Sequence, residues 1–458
     1  MHRKRITLCC ACLIFFCLGC SSKEDKLYYV APTVITGTIR EMKSPGFWIA
    51  RHPFADRVIL DGPKIDSFNK NTEKVLKLTQ DVVDLGRTYP GKKIFDDLKK
   101  SLDSFNSKRY YFRSGIRADK KFYSSLEKNM SLGSISLDTE LRYGLIVNYA
   151  DQRVLPSDEG LYEEPGDVNF DELQNNSLDI GTPLAILHES SDGVWLYTLG
   201  PSSGGWVKKN KISFLTIEKL KDYLSQPDFC VVTDQKADIF LDPGLTLYHD
   251  YVRMGARFPA GRLADPAAVE VFIPSRLADG SMALKSAYIK RESVNFGYLA
   301  YTPRNIIDRA FKLINTPYGW GGMNGEQDCS QFLQEIFATV GIHLPRNSSA
   351  QAQVGALLAK FDERSSDEEK VKVLSEKGDG GITLIRLDNH IMLFLGMYNG
   401  KPYAIHSTWA FRKRDWGIDN ARVINRVAVT GMDLGGGTSR GSLLKRVISI
   451  NMICVKEN

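Results

Sequence analysis

Cys329 stands at a position that can make a thiol reactive. The residue before it, Asp328, is a favourable helix N-cap. The apolar residues after it recur on one helical face, at Phe332, Leu333, Ile336, Phe337 and Val340. Cys329 therefore lies in the first turn of a predicted helix, where free backbone N–H groups and the helix dipole stabilise a thiolate. This placement predicts a cysteine nucleophile.

Two histidines could serve this nucleophile, one as general base and one to orient the base. His390 begins an apolar run over 391–395 and His406 ends another over 403–405, so both are predicted on strands of one hairpin. Taken alone, a buried cysteine is more often inert, and a histidine at a strand end is more often a surface residue. Together and in this order, the three residues favour a catalytic triad.

The turn between the two strands decides whether the histidines can meet. Asn399 and Gly400 favour a two-residue turn that pairs Tyr398 with Lys401, and in that register the histidines point to opposite faces of the sheet. A triad requires them on one face and nearly opposite each other. We therefore predict a longer loop over 396–400 in a register centred on Tyr398, or else a β-bulge that shifts the count.

Several short motifs surround these residues in a recognisable order. They are Pro317-Tyr318-Gly319-Trp320-Gly321-Gly322, Asp328-Cys329-Ser330, Leu344-Pro345-Arg346 with Ser348 and Gln351, and a histidine at a strand start. Over about residues 301–410 the chain resembles the NlpC-type family of papain-like cell-wall peptidases. The resemblance implies that Cys329 is the nucleophile, His390 the general base and His406 the third polar residue.

The resemblance also implies a substrate site and a reaction. Tyr318 and Trp320 match residues that line the site. Asp328 and Ser330 match residues that, in family members with SH3-like domains, bind the free amine of an N-terminal L-alanine. The implied reaction is endopeptidase hydrolysis of the bond between γ-D-glutamate and a diamino acid in bacterial cell-wall (murein) peptides.

Three features depart from the family pattern. Gln331 stands where glycine usually follows Cys-Ser, and it could narrow the pocket beside the nucleophile. Residues 380–382 replace the usual Gly-Asp-Leu before the histidine strand. The charged stretch 361–376 reads as an insertion.

The pattern of apolar and turn residues changes along the rest of the chain, which predicts a multidomain α+β protein. Helical periodicity over 65–85 and 94–105 gives way, from residue 143, to short apolar runs separated by turn residues. We predict an N-terminal helical domain, two small SH3-like β-barrels and a C-terminal papain-like α+β peptidase domain. The boundaries are a tether and helical domain over 21–140, barrels over 141–217 and 218–298, and the peptidase over 299–458. Tyr162, in a long loop of the first barrel, is a candidate wall of the peptidase cleft.

The N-terminus reads as a lipoprotein signal peptide over residues 1–20. A basic segment over 2–5 precedes an apolar stretch over 6–19, which is too short to span a bilayer. Leu18-Gly19-Cys20 resembles a lipoprotein cleavage box, with Cys20 as the lipidated residue. An ordinary cleaved signal peptide is the alternative. We expect an exported protein anchored to a membrane in the periplasm or cell envelope.

Composition limits the remaining partners. The chain has 458 residues and a net charge of +6, with no dense basic run of the kind that binds nucleic acid. No Cys or His pair has zinc-site spacing, so neither a metal nor another cofactor is expected. We expect a monomer whose partners are a cell-wall peptide and a membrane.

Two other functions remain open at this point. The first is a papain-like amidase that cuts the link between glycan and peptide, since its cysteine and histidine would follow the same order. The second is a cell-wall-binding lipoprotein without catalysis, in which the barrels hold the wall. An amine pocket at Asp328 would argue against the amidase, and the complete Cys-His-His set argues against the inert protein.

Overall fold

The computed structural model describes residues 29–455, apart from the side chains of Tyr29 and residues 262–265. In this part of the chain there are three seven-stranded sheets and one two-stranded sheet. The predicted multidomain α+β architecture is confirmed in this coarse form. None of the helices between residues 29 and 455 has the length and apolar character that crossing a membrane requires. The predicted signal peptide and Cys20 lie outside the described residues.

Short helices make up most of the segment before the first large sheet. The α-helices are α1 (Pro45–Ile49), α2 (Gly62–Lys70), α3 (Gly91–Asn106) and α4 (Lys120–Met130), and the strands are β1 (Tyr29–Val30), β2 (Thr88–Pro90) and β3 (Asp138–Glu140). Single turns of 3₁₀ helix lie at Arg40–Lys43, Val82–Asp84 and Leu132–Ser134, and a π turn at Asn71–Val75. The helix predicted over 65–85 therefore ends early, after the π turn.

These helices pack into cores that belong to later parts of the chain. Trp48 and Phe68 share a core with the C-terminal domain, whereas Ile94 and Leu98 share one with Trp206 of the first large sheet. The predicted N-terminal helical domain is thus shown only in part. Its helices are present, but their apolar faces are buried against two different neighbours.

Two β-domains follow, each built on a seven-stranded sheet. The first has β4 (Arg142–Ile146), β5 (Ala150–Arg153), β6 (Gln174–Leu178), β7 (Pro183–Glu189), β8 (Trp195–Leu199), β9 (Gly204–Lys208) and β10 (Ile212–Leu215), in the order β10-β4-β7-β8-β9-β5-β6. A 3₁₀ turn at Lys209–Lys211 precedes β10, and helix α5 (Ile217–Leu224) leads to the second β-domain.

The second β-domain shows the same strand number with a different order. Its strands are β11 (Phe229–Val232), β12 (Lys236–Phe240), β13 (Tyr248–Arg253), β14 (Arg257–Asp265), β15 (Ala268–Arg276), β16 (Met282–Lys290) and β17 (Val294–Phe296), in the order β13-β12-β16-β15-β14-β11-β17. A 3₁₀ turn at Arg291–Ser293 precedes β17.

The C-terminal domain combines four helices with six strands. They are α6 (Pro303–Lys312), α7 (Cys329–Ala338), α8 (Ser348–Gln351) and α9 (Asp367–Lys377), with β18 (Ala356–Lys360), β19 (Thr383–Leu387), β20 (His390–Tyr398), β21 (Lys401–Asp415), β22 (Ile418–Gly431) and β23 (Val447–Met452). Strand β1 joins the sheet at its edge, in the order β1-β22-β21-β20-β19-β23-β18. A turn segment at Trp320–Gly325 precedes α7.

Alternation along the sheet explains why this domain has two apolar layers. Ile391 and Leu393 of β20 belong to the core that contains α7, whereas Met392 and Phe394 face the core that contains Leu374 of α9. Helix α9 occupies the stretch predicted as an insertion and begins with a complete capping box. The sheet is therefore covered on both faces, and α7 is pressed against β20 and β21.

Candidate active site

Cys329 is the first residue of α7, and Asp328 is its N-cap, as the sequence predicts. The Asp328 carboxylate accepts from the N–H groups of Ser330 and Gln331 at 3.0 and 2.9 Å. The Cys329 thiol lies beside the start of β20, where the N–H of Ile391 is directed at its sulfur. Pairing between β20 and β21 stops at Leu393 and Ile405, so the nucleophile helix begins where the two strands part.

The predicted two-residue turn and the functional register occur together. Tyr398 pairs with Lys401, and the turn residues Asn399 (φ 48°) and Gly400 (φ 73°) are both left-handed. The preference for a longer loop was therefore wrong. A bulge between Phe394 and Gly396 inserts one residue into β20 and restores the face that the triad needs.

The bulge brings the two histidines into contact. His390 Nε2 lies 2.6 Å from His406 Nδ1, and His406 Nε2 lies 2.9 Å from Thr430 Oγ1. The histidines occupy diagonal positions on one face rather than directly opposite ones. Thr430, on the neighbouring β22, was not predicted, because nothing local in the sequence marks it as a partner of His406.

If His390 is a base, the donor and the acceptor of each hydrogen bond in this chain are determined. For Nδ1 of His390 to accept a proton from the thiol, its Nε2 must carry hydrogen and donate to Nδ1 of His406. His406 then carries hydrogen on Nε2 and donates to the Thr430 hydroxyl oxygen. The arrangement fixes both tautomers and the plane of the His390 ring.

Burial sets the electrostatics of the site. Burial, followed by the Asp328 carboxylate, raises the pKa of the Cys329 thiol to about 12, against the opposing effects of the Ile391 N–H and Arg346. Burial, followed by Arg446, lowers the pKa of His390 to about 4. Burial, His390 and Arg446 lower the pKa of His406 well below its usual value. Both imidazoles are therefore neutral at pH 7, as a base and its acceptor must be.

Asp328 is paired with a cation that the sequence did not predict, while its role in an amine pocket stays a prediction from the resemblance. Arg346 Nη2 lies 2.7 Å from one carboxylate oxygen and Nη1 lies 3.2 Å from the other. The Ser330 hydroxyl donates to Asp328 and accepts from Arg346 Nη1 at 3.0 Å. The structure thus places Asp328 and Ser330 in a buried ion-pair network, with no vacant carboxylate facing the cleft.

The same arginine ties the nucleophile helix to the first β-domain. Arg346 Nε donates to Asn176 Oδ1 of β6 at 2.9 Å. Gln331 also points to this domain, donating to the Ser177 hydroxyl at 3.2 Å, and Ser177 accepts a further bond from Arg253 of the second β-domain. The sequence suggested that Gln331 could narrow the cleft beside Cys329, but its side chain does not do so. It fills a junction of three domains.

Aromatic side chains surround the approach to the thiol. Tyr318 is half-buried, and its pKa is raised by burial first and then by the charges of Cys329 and Asp328, so the phenol stays protonated at neutral pH. Phe170, from the loop between β5 and β6, packs edge-on against Trp320 and Trp409, with ring centroids 5.4 and 5.3 Å apart. Tyr318 and Trp320 thus belong to one aromatic cluster with Phe170 and Trp409, which the sequence did not identify. That they line the substrate site stays a prediction.

The residue of the first β-domain that lies at the cleft is Phe170, and not Tyr162. Tyr162 is buried and forms an isolated bridge with Tyr111 of the N-terminal segment. The loop is anchored by the buried pair of Arg153 with Asp171, at 2.7 Å. Gly321 accommodates the close approach of β6, because a Cβ there would collide with the Gln174 carbonyl and because its φ is 60°.

Comparison with known proteins agrees with this geometry. Residues 315–414 match the NlpC/P60 family, and residues 161–208 match an SH3 domain of the SH3b1 type. The C-terminal domain is an NlpC/P60 domain. The SH3 match falls in the first β-domain, so an SH3-like second β-domain remains a prediction.

Individual relatives extend the comparison along the chain. A Bacillus cereus protein named gamma-D-glutamyl-L-lysine dipeptidyl-peptidase is 23% identical over 262 residues, covering 54% of this chain and 70% of its own length. A Corynebacterium glutamicum protein named as a probable endopeptidase is 31% identical over 100 residues, and the chain spans 48% of its length. A solved NlpC/P60 endopeptidase from Photobacterium damselae subsp. piscicida superposes with a TM-score of 0.77 at 20% identity, covering 94% of this chain and all of that one. This last likeness shows a shared fold.

Proposed function

We propose that the chain is a cysteine endopeptidase that hydrolyses the γ-D-glutamyl–diamino acid bond of cell-wall peptides. The observation that carries the proposal is the 2.6 Å contact between His390 and His406, formed beside the Cys329 thiol at a helix N-terminus. The contact depends on a β-bulge and leaves His406 buried and His390 half-buried. A purely structural hairpin with an Asn-Gly turn needs neither the bulge nor a histidine pair.

The proposed reaction passes through a thioester. The thiol transfers its proton to Nδ1 of His390 as its sulfur attacks the scissile carbonyl. Burial disfavours each charge alone, but a thiolate and an imidazolium formed together attract each other and gain the field of the α7 N-terminus. His390 then protonates the leaving amine, and water, activated by the same imidazole, hydrolyses the acyl-enzyme.

The Tyr318 phenol is the proposed donor to the developing oxyanion, together with the backbone N–H of Cys329. Burial keeps this phenol protonated well above neutral pH, so it can donate and does not add a negative charge.

The substrate class follows from the resemblance and from the name of the Bacillus cereus relative. A preference for peptides with a free N-terminal L-alanine remains part of the proposal, but its physical basis changes. Arg346 neutralises Asp328, so the amine would instead meet the acidic loop between β5 and β6, which carries Phe170. That loop carries Asp158, Glu159, Glu163, Glu164, Asp167, Asp171 and Glu172.

Defined muropeptides test the bond and the terminus together. The purified protein is incubated with L-alanyl-γ-D-glutamyl-diaminopimelate peptides, either free or joined to muramic acid, and the products are identified by mass. We expect an alanyl-glutamate dipeptide from the free peptide and no product from the joined one. Release of intact peptide from the muramic acid would instead establish the amidase, and no release from either would favour the inert binding protein.

We also propose that the protein is exported and anchored to a membrane by a lipid. The basic segment, the apolar stretch and Leu18-Gly19-Cys20 support lipidation of Cys20. Incorporation of radiolabelled palmitate into the wild type, and its loss in Cys20→Ala, is the expected result. Incorporation that persists in Cys20→Ala would contradict it.

A further inference from the structure

A two-stranded arm projects from the C-terminal sheet. Residues 411–415 of β21 pair with residues 418–422 of β22, and a two-residue turn at Trp416 and Gly417 joins them. Among the described strands, only β1 touches this arm, at Arg422 near its base. The name arm tip is used here for residues 415–418.

Trp416 is an unusual residue for the turn it occupies. Its φ is 53° and that of Gly417 is 81°, so both turn residues are left-handed. A second two-residue turn of this sheet, at Asn399 and Gly400, has the same backbone signs and uses residues that suit that conformation. A bulky side chain with positive φ is an outlier, and such outliers point to a role outside the fold.

The side chains of the arm tip are apolar and exposed, and cations flank them. Trp416 has a relative exposure of 101% and Ile418 one of 65%, so neither packs on the protein. Residues 412–422 carry four cationic and two anionic side chains. The carboxylates are paired with these cations, Asp415 with Lys413 and Arg422, and Asp419 with Arg414. Asp419 also accepts from the Ser439 N–H, at 2.6 Å, in the loop after β22. An exposed tryptophan beside an excess of cations suits the interface of an anionic bilayer.

The direction of β1 turns its first residue, Tyr29, toward the arm tip. Strand β1 is parallel to β22, which runs away from the tip, so Tyr29 is the end of β1 nearer the tip. Along the arm, Arg422 is six residues from Trp416, or about 20 Å. Cys20 precedes Tyr29 by nine residues, a span of at most about 30 Å. A lipid on Cys20 can therefore reach the plane of the arm tip.

We infer that the arm tip inserts Trp416 and Ile418 into the interfacial layer of an anionic membrane, beside the N-terminal anchor. Trp416 lies ten residues along β21 from His406, so the site stands at most about 34 Å from the tip. The tip and the lipid anchor would be two contacts that together orient the catalytic domain on the membrane. The inference goes beyond the proposed peptidase activity and does not require it.

Tryptophan quenching by brominated lipid tests the insertion. The full chain is bound to vesicles of phosphatidylglycerol and phosphatidylcholine, with and without bromine in the acyl chains, and emission is measured for the bound protein. We expect a bromine-dependent loss of fluorescence emission that corresponds to one of the six tryptophans. The loss should disappear in Trp416→Asn, a substitution that suits the left-handed turn and preserves folding.

A matched control variant and a test with soluble glycan strands complete the experiment. Leu137→Asn removes an equally exposed apolar side chain (89%) outside the arm and should keep the full quenching. Equal quenching in wild type and Trp416→Asn, or no quenching of the bound wild type, would overturn the inference. So would a Trp416 emission change caused by soluble glycan strands without any quenching by brominated lipid. Hydrolysis of soluble muropeptides should be unchanged in Trp416→Asn, so the two proposals fail separately.

Discussion

Removing the guanidinium of Arg346 tests how the nucleophile helix is held. The side chains of Arg346 and Asp328 are only 9% and 11% exposed. Arg346→Met keeps an aliphatic stem but leaves the Asp328 carboxylate buried without its cation. Breaking a buried pair by removing one partner destabilises a protein by about 3–5 kcal/mol. We expect a loss of that size in the free energy of unfolding, measured by urea denaturation with an unchanged m value.

Two further variants separate the buried pair from general effects of losing an arginine. Arg304→Met removes the partner of Asp56 in an exposed ion pair and should leave stability almost unchanged. The double variant Asp328→Asn with Arg346→Met should recover part of the loss, because no unpaired charge remains. If Arg346→Met behaves like Arg304→Met, Asp328 does not depend on Arg346, and the amine pocket returns to consideration.

The pH dependence of the same variant has a definite sign. In the wild type burial raises the pKa of Asp328, but Arg346 and the capping hydrogen bonds outweigh it, so the folded pKa lies below the usual value. This contribution to stability is present at neutral pH and is lost as the pH falls through the folded pKa. Without Arg346, burial raises the pKa, and protonation relieves the buried charge. The destabilisation by Arg346→Met should therefore shrink as the pH is lowered from 7 towards 4.

Three other predictions concern catalysis. Cys329→Ala and His390→Ala should each be nearly inactive, and the double variant should be no worse; multiplicative losses in kcat/KM would contradict a shared role. Thr430→Val removes one hydrogen bond to the orienting imidazole and should lower kcat by roughly three- to tenfold at unchanged KM, in steady-state assays. Phe170→Ala opens the aromatic wall and should raise KM more than it lowers kcat; an unchanged KM would remove Phe170 from the substrate site.

Features that depend on neighbouring residues were predicted from the sequence. The Asp328 cap and the position of Cys329 in the first helical turn each follow from a few adjacent residues. The same is true of the Asn399-Gly400 turn, although we predicted a longer loop there to bring the two histidines together. In each case one local preference decides the conformation, and no distant partner opposes it.

Features that depend on distant residues were not predicted. The bulge before Gly396 allows the two-residue turn and the histidine pair to occur together. The residue pattern of a single strand does not show that a bulge, rather than a longer loop, meets both requirements. Asn176, Arg346 and Thr430 come from separate parts of the chain, and only the assembled domains bring them to the site. The pairing of Asp328 with Arg346 was missed for the same reason, since the cation lies eighteen residues away.

The central claim, that Cys329 is the nucleophile of a γ-D-glutamyl endopeptidase, is tested most directly by product analysis of cysteine variants. The wild type, Cys329→Ala and Cys230→Ala are incubated with one defined tetrapeptide, and products are identified by mass. Cys230 is a fully buried cysteine in the second β-domain and serves as the matched control. We predict cleavage after D-glutamate by the wild type and Cys230→Ala, and none by Cys329→Ala. Cleavage that survives in Cys329→Ala, or that occurs at another bond in the wild type, would contradict the account.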